Sequence, residues 1–300
     1  MTTNISDEQL LELNKQGLIP GPYETNYQFL SRVKDLLRFS NCIEEYLENH
    51  SPILAFRIND QIPMQDRKIS LSAAENIFDI KPKWVPAFYS DHSLSFWHGG
   101  CAYIPDRNED SQMVFIQLRT AFRRSPRYLW IYDRSEILAH ESAHIGRVAF
   151  NEPTFEELIA CQCSSSILRR WLGPSITSSR QIKTLIASTT FIIMIDWTLV
   201  FFQKYAWYMK AMYLKLFPGI IILFILWRAW KLQKTFSSCL RNLTSLLEDK
   251  GKAFAVAYRL TDNEIYRFSK ASPQSIMQYA QKNKSSSLRW RLIAKAYFYL

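Results

Sequence analysis

The sequence predicts an α+β protein: a small sheet packed on a helix that carries a His-Glu-x-x-His motif, followed by a two-helix transmembrane hairpin and a helical C-terminal region. Three observations predict it. Short runs with strand character precede the motif between Ile53 and Tyr132. The motif itself, His140-Glu141-Ser142-Ala143-His144, sits among apolar residues at helical spacing, Ile137, Leu138, Ile145 and Val148. Two apolar stretches, 184–202 and 211–227, approach the roughly 20 residues that cross a bilayer core.

Residues 1–52 read as a polar helical segment, with Phe29, Val33, Leu36 and Leu37 at helical spacing. Residues 53–174 form the domain around the motif. Within it Leu94–Ile104, interrupted by Gly99-Gly100, then Met113–Leu118 and Tyr128–Tyr132 read as strands. Either Met113–Leu118 or Tyr128–Tyr132 could bind an extended peptide along its edge. Asp133 or Ser135 can accept the free amides of a following helix, expected over 135–149. Asn151-Glu152-Pro153 breaks that helix, because proline disfavours helical geometry in the residue before it. A second helix is expected from near Thr154 to Gly173-Pro174.

The net charge of +10 hides an asymmetry. Residues 1–160 carry 16 Lys/Arg against 22 Asp/Glu, whereas residues 161–300 carry 21 against 5. The basic half also holds both apolar stretches, so its expected partner is a lipid bilayer with anionic headgroups. No nucleic-acid fold signature accompanies the charge, and no nucleic-acid partner is expected. Asp196 and Lys215 fall at similar depth in a hairpin, where they could neutralise one another, or Lys215 could reach the headgroups alone. Phe201, Tyr205, Trp207, Tyr208, Trp227 and Trp230 suit interfacial belts. Arg169, Arg170, Arg180 and Lys183 precede the hairpin, and Arg228, Lys231, Lys234 and Arg241 follow it, against Lys204, Lys210 and Lys215 between the spans. The positive-inside rule then places both flanks in the cytoplasm, with the chain a multi-pass membrane protein of two spans. Five cysteines without a CxxC pair suggest reduced thiols, and the first residues lack the pattern of a secretory signal. Residues 232–300 read as a basic, amphipathic helical region.

His140 and His144 lie four residues apart, hence on one helical face about 6 Å apart along the axis, so both rings can reach one metal ion. This spacing is what zinc requires. Glu141, on the adjoining edge, can act as general base, taking a proton from a zinc-bound water and passing it to a leaving amine. At this composition about 0.004 such motifs would arise by chance. A catalytic zinc wants three protein ligands and an open position. Glu157 and its neighbour Glu156 stand in the first turns of the second helix.

The motif followed by Glu157-Leu158-Ile159-Ala160 on a helix resembles the gluzincin class of zinc peptidases. That resemblance implies a zincin-like catalytic domain over 53–174, with Glu157 as third ligand beside His140 and His144. Membrane spans near such a site are also similar to those of the HtpX-like and CAAX-prenyl endopeptidases. In that group the spans lie between the motif and the glutamate, which would make Glu248 the candidate. The function implied is a membrane-anchored zinc endopeptidase acting on peptides or membrane proteins near the inner leaflet. The alternative from another class is a membrane adaptor with a structural zinc site and a basic half that binds lipid or a partner. His50, His92 and His98 read as surface or core histidines, and Cys161 and Cys163 as packing residues. Arg147 reads as a surface ion pair or a substrate-holding cation.

Overall fold

The chain is mostly helical, and Ser, Thr or Asp stands at the N-cap of many of its helices. The computed structural model describes residues 5–45, 47, 56–103, 114–173 and 179–300. His50, Ile53, Ile104 and Met113 lie outside the described residues. Ser6 and Thr25 close capping boxes with Gln9 and Gln28, and so open α1 (Asp7–Lys15) and α2 (Asn26–Asn41). Phe29, Val33 and Leu36 turn inward from α2, as their spacing predicts.

The region expected to hold only short strands also contains α3 (Met64–Phe78). Its buried face is made of Arg67, Ser70, Leu71, Ala74 and Phe78, a set too small and too polar to announce a helix by hydrophobic period. The strands β1 (Ala87–Tyr89), β2 (Gly100–Tyr103) and β3 (Phe115–Leu118) form one sheet in the order β1-β3-β2. β1 runs parallel to β3 and β2 antiparallel to it. β3 is therefore central and buried along its length, while β2 is a half-exposed edge. The expected strand from Leu94 is shortened because the Arg119 side chain gathers the carbonyls of Leu94, Ser95 and His98 into turns. Tyr128–Tyr132 is not one strand but a hairpin, β4 (Arg127–Tyr128) and β5 (Tyr132–Asp133), joined by Leu129, Trp130 and Ile131.

Asp133 opens α4 (Arg134–Gly146), its side chain accepting from the amides of Ser135 and Glu136. This helix carries the motif. It packs on α3 and on the sheet, where Gly100 allows the approach: a Cβ there would stand 2.8 Å from the Ile137 side chain and from the Gln117 carbonyl. α5 (Pro153–Ala160) follows with proline in its first turn. The expected single helix from Thr154 to Gly173 is split, and α6 (Ile167–Leu172) begins afresh after a 3-10 turn at Cys161–Cys163. Glu136 causes the break, accepting from the Ser164 hydroxyl at 2.9 Å and the Ser165 amide at 2.8 Å.

α7 (Ser179–Phe201) and α9 (Leu216–Leu247) are long and apolar enough to cross a membrane, and their apolar windows bury nothing in the protein. Between them lie α8 (Tyr205–Ala211) and the 3-10 turn Met212–Lys215. Lys215 Nζ meets Asp196 Oδ2 at 2.8 Å, so the two opposite charges expected at one depth do pair. α9 does not stop near Trp227. It continues unbroken, and from Ala229 onward its face of Leu232, Phe236, Cys239 and Leu243 is buried.

The remaining helices are α10 (Lys250–Tyr258), α11 (Asp262–Phe268), α12 (Pro273–Asn283) and α13 (Leu288–Ile293). Of two hydrophobic clusters among the described residues, the smaller gathers Phe39, Ile43, Leu47, Phe56, Phe88 and Phe115, and the larger draws on the chain from Ile5 to Phe298. The N-terminal segment, the motif region and the C-terminal helices all contribute to it.

Candidate metal centre

Side chains four residues apart on a helix stack on one face, and α4 brings the His140 and His144 rings to 5.0 Å between centroids. Their Nε2 atoms face each other at 3.3 Å. α5 arrives across this pair because its orphan amides are met from far along the chain: Thr154 N–H and Phe155 N–H donate to the two carboxylate oxygens of Asp262, at 2.8 and 3.2 Å. Phe155, buried against Phe236 and Tyr266, fixes the rotation of α5 and so the direction of the two glutamates that follow it.

Those glutamates go different ways. Glu157 spans the gap between the rings, Oε1 lying 3.4 Å from His140 Nε2 and Oε2 3.5 Å from His144 Nε2. Glu156 Oε1 takes the opposite nitrogen of His144, Nδ1, at 2.9 Å. The geometry thus separates two residues the sequence left as rivals. His140, His144 and Glu157 present one ligand atom each, all within 4.8 Å of one another, and this group could hold a metal ion. Glu248 is exposed at the C-cap of α9 and is not a member. By engaging Nδ1 of His144, Glu156 leaves Nε2 as the ring nitrogen that faces the gap.

The site is electrostatically tense. Burial disfavours a charged His144, but hydrogen bonds that its ring donates to Glu156 and Glu157, with the charges of Glu141 and Glu157, outweigh it and hold the imidazole well above its ordinary pKa. Glu157 answers in the other direction: burial opposes its charge, yet the charge of His140 and hydrogen bonds from both histidines keep it well below the usual carboxylate range. Glu141 is buried next to His140. Its charge reaches both His144 and the Cys101 thiol on β2, and desolvation together with that charge pushes the thiol up to about 11. Cys161 Sγ lies 3.5 Å from Glu157 Oε1 as a donor, and burial followed by the Glu157 charge raises its pKa so that it stays protonated.

Arg147 overturns both readings the sequence allowed. It is neither a surface ion pair nor a group facing substrate. It is buried, and donates to the carbonyls of Tyr258 and Leu260, the latter at 3.1 Å. Tyr258 returns the contact, its hydroxyl donating to the Ala143 carbonyl at 2.6 Å. The end of α4 is therefore clamped by the C-terminal region, with no local pattern in the sequence to reveal it. Asp262 was missed for the same reason. His92 and His98 are exposed, as expected, and stand apart from the group. The expected peptide-binding edges also change: β3 is paired on both sides, Tyr128–Tyr132 is a hairpin, and among the described residues the unpaired edge of the three-stranded sheet beside α4 is β2.

Compared with family models, with curated proteins and with solved structures, the chain gives no match.

Proposed function

We propose that the chain is a membrane-anchored zinc-dependent endopeptidase. The observation that carries this reading is the triangle of His140, His144 and Glu157. Zinc bonds of about 2.0–2.1 Å in tetrahedral geometry set neighbouring ligand atoms about 3.3 Å apart. The two Nε2 atoms stand 3.3 Å apart, one Glu157 oxygen lies 3.4 Å from the first and the other 3.5 Å from the second, and one ligand atom from each residue falls within 4.8 Å of the others; two imidazoles with one carboxylate are a donor set that would leave a catalytic zinc one open corner. Bound there, zinc supplies a polarised water with its pKa drawn down toward ~7.

The chain's own residues then divide the labour. His140, His144 and Glu157 hold the ion, and Glu156 orients His144 through Nδ1. Glu141, one position from the first ligand, takes the proton from the water and returns it to the leaving amine. The open edge of β2, beside α4, suits main-chain pairing with an extended peptide. α7 and α9 anchor the protein as a two-span hairpin, its basic flanks on the cytoplasmic side, which directs the site to peptides or membrane proteins near the inner leaflet.

Glu141→Gln tests the assignment in purified, reconstituted protein. Hydrolysis of a peptide library should fall at least ~10²–10⁴-fold while zinc content stays stoichiometric. Turnover that survives the substitution would remove Glu141 as the base. Wild-type protein that binds zinc yet cleaves nothing would favour the adaptor with a structural zinc site.

A further inference from the structure

We propose that the turn Leu129–Ile131 is a third membrane contact, seated in the interfacial layer of the bilayer and fixing the height of the metal cluster above it. The inference rests on the reading that α7 and α9 span that bilayer.

The turn displays its side chains to solvent: Trp130 is 95% exposed, Ile131 60% and Leu129 44%. Leu129 and Trp130 also adopt left-handed backbone, φ 49° and 64°, in a hairpin turn where glycine or asparagine is the usual occupant. For residues with a Cβ this conformation costs roughly 1–2 kcal/mol each. A strained turn that holds a leucine and a tryptophan out in water serves neither solubility nor folding. A headgroup layer, which accepts an indole with its polar edge wet and its ring in apolar surroundings, accounts for both the residue types and their display.

Contacts place the turn beside the point where α9 leaves the proposed span. Gln233 of α9 donates to the Arg170 carbonyl of α6 at 2.8 Å. Gln233 is within about 10 Å, at ~1.5 Å per residue, of Trp227, and Lys231 and Lys234 lie over the Trp227 and Trp230 rings at 5.5 and 5.0 Å. Paired lysines and tryptophans mark the headgroup level of a membrane helix. The neighbouring Arg169 stacks on Tyr132 of β5 at 5.0 Å, and Tyr132 is the residue after the turn. α6 itself carries Ile167 and Leu168, both exposed. Arg124 and Arg127, exposed just before the turn, supply cations for anionic headgroups. The occupant consistent with apolar tip, basic flank and adjoining spans is an anionic bilayer surface. Because Tyr132 and Asp133 lead straight into α4, a turn held in that layer holds the start of the motif helix with it.

The test is fluorescence quenching in the full-length protein reconstituted into phosphatidylcholine and phosphatidylglycerol vesicles, with lipids brominated either near the headgroup or near the chain end. Trp130→Tyr changes only an exposed side chain. The shallow bromolipid should quench a component of wild-type emission that the variant lacks, one indole's share of the nine tryptophans. The deep bromolipid should quench emission that is missing in Trp197→Tyr, on α7. Deep quenching at Trp197 with identical shallow quenching in wild type and Trp130→Tyr would overturn the proposal alone. Absence of deep quenching would overturn the spanning reading, and the turn's membrane contact would fall with it.

Discussion

Adjacent glutamates on one helix turn carry different loads at this site, and single substitutions should separate them. Glu157→Gln weakens a ligand between two imidazoles, and stoichiometric metal should be lost on dialysis. Glu156→Gln removes only the partner of His144 Nδ1, so metal should remain with affinity lowered about 10–100-fold, measured by competition with a chromophoric chelator. Equal losses in the two variants would contradict the assignment. Protons compete for the same nitrogen. The raised pKa of His144 means that ion binding near neutral pH must expel a proton, so affinity should climb with pH until that pKa is passed and level off above it. Calorimetry in buffers of different ionisation heat would count the protons released. His140 and His144 were legible in the sequence because helical spacing places them on one face, whereas Glu157 was reached only through the resemblance, with Glu156 and Glu248 left open beside it. The role of Glu156 was not legible, since it depends on the rotation of α5, which Phe155 and Asp262 set from outside the motif.

At the level of elements, what the sequence hid was mostly decided by distant partners. α3 was missed because only Leu71 and Phe78 on its inward face are large and apolar, the rest being Arg67, Ser70 and Ala74, and the hairpin was read as a strand because Leu129 and Trp130 are poor turn formers. The helix α11 shows how far such partners reach, since its Asp262 caps α5 while its Glu264 is buried two positions on. Glu264 accepts two bonds from Arg289, at 2.8 and 2.9 Å, and one from Trp290 Nε1 at 2.7 Å. Burial opposes its charge, but Arg289 dominates and its pKa is lowered. A depressed folded-state pKa gives stability that is present above the unfolded value, near 4.3, and lost as pH falls through the folded value. Glu264→Gln should leave Arg289 buried without its counter-charge and lower urea stability by about 3–5 kcal/mol. The same variant should weaken metal binding, because α11 holds α5. Gly100→Ala tests the sheet-to-helix contact: a methyl pressed against Ile137 and Gln117 should cost about 1–3 kcal/mol in the same assay.

For the molecule as a whole, the hairpin reading makes a charge prediction. Asp196→Leu would leave Lys215 unpaired in lipid, a cost of up to about 2.5–3.5 kcal/mol for a lone charge at a helix centre, and should reduce membrane integration. Asp196→Leu combined with Lys215→Leu should restore it, as carbonate extraction would show. The two long apolar helices were legible because apolar length is written locally, but the sequence did not reveal that α9 runs on unbroken past Trp227. That helix passes from exposed apolar residues to a face packed on the protein core, and its Phe236 stacks on Phe155, the residue before the two glutamates. On the proposed reading, a rod shared by span and core would give the metal site no freedom to rise or lean on its own. The site would then work as a gauge, admitting only those bonds that a substrate carries at one set distance from the lipid, whatever the residues on either side of them.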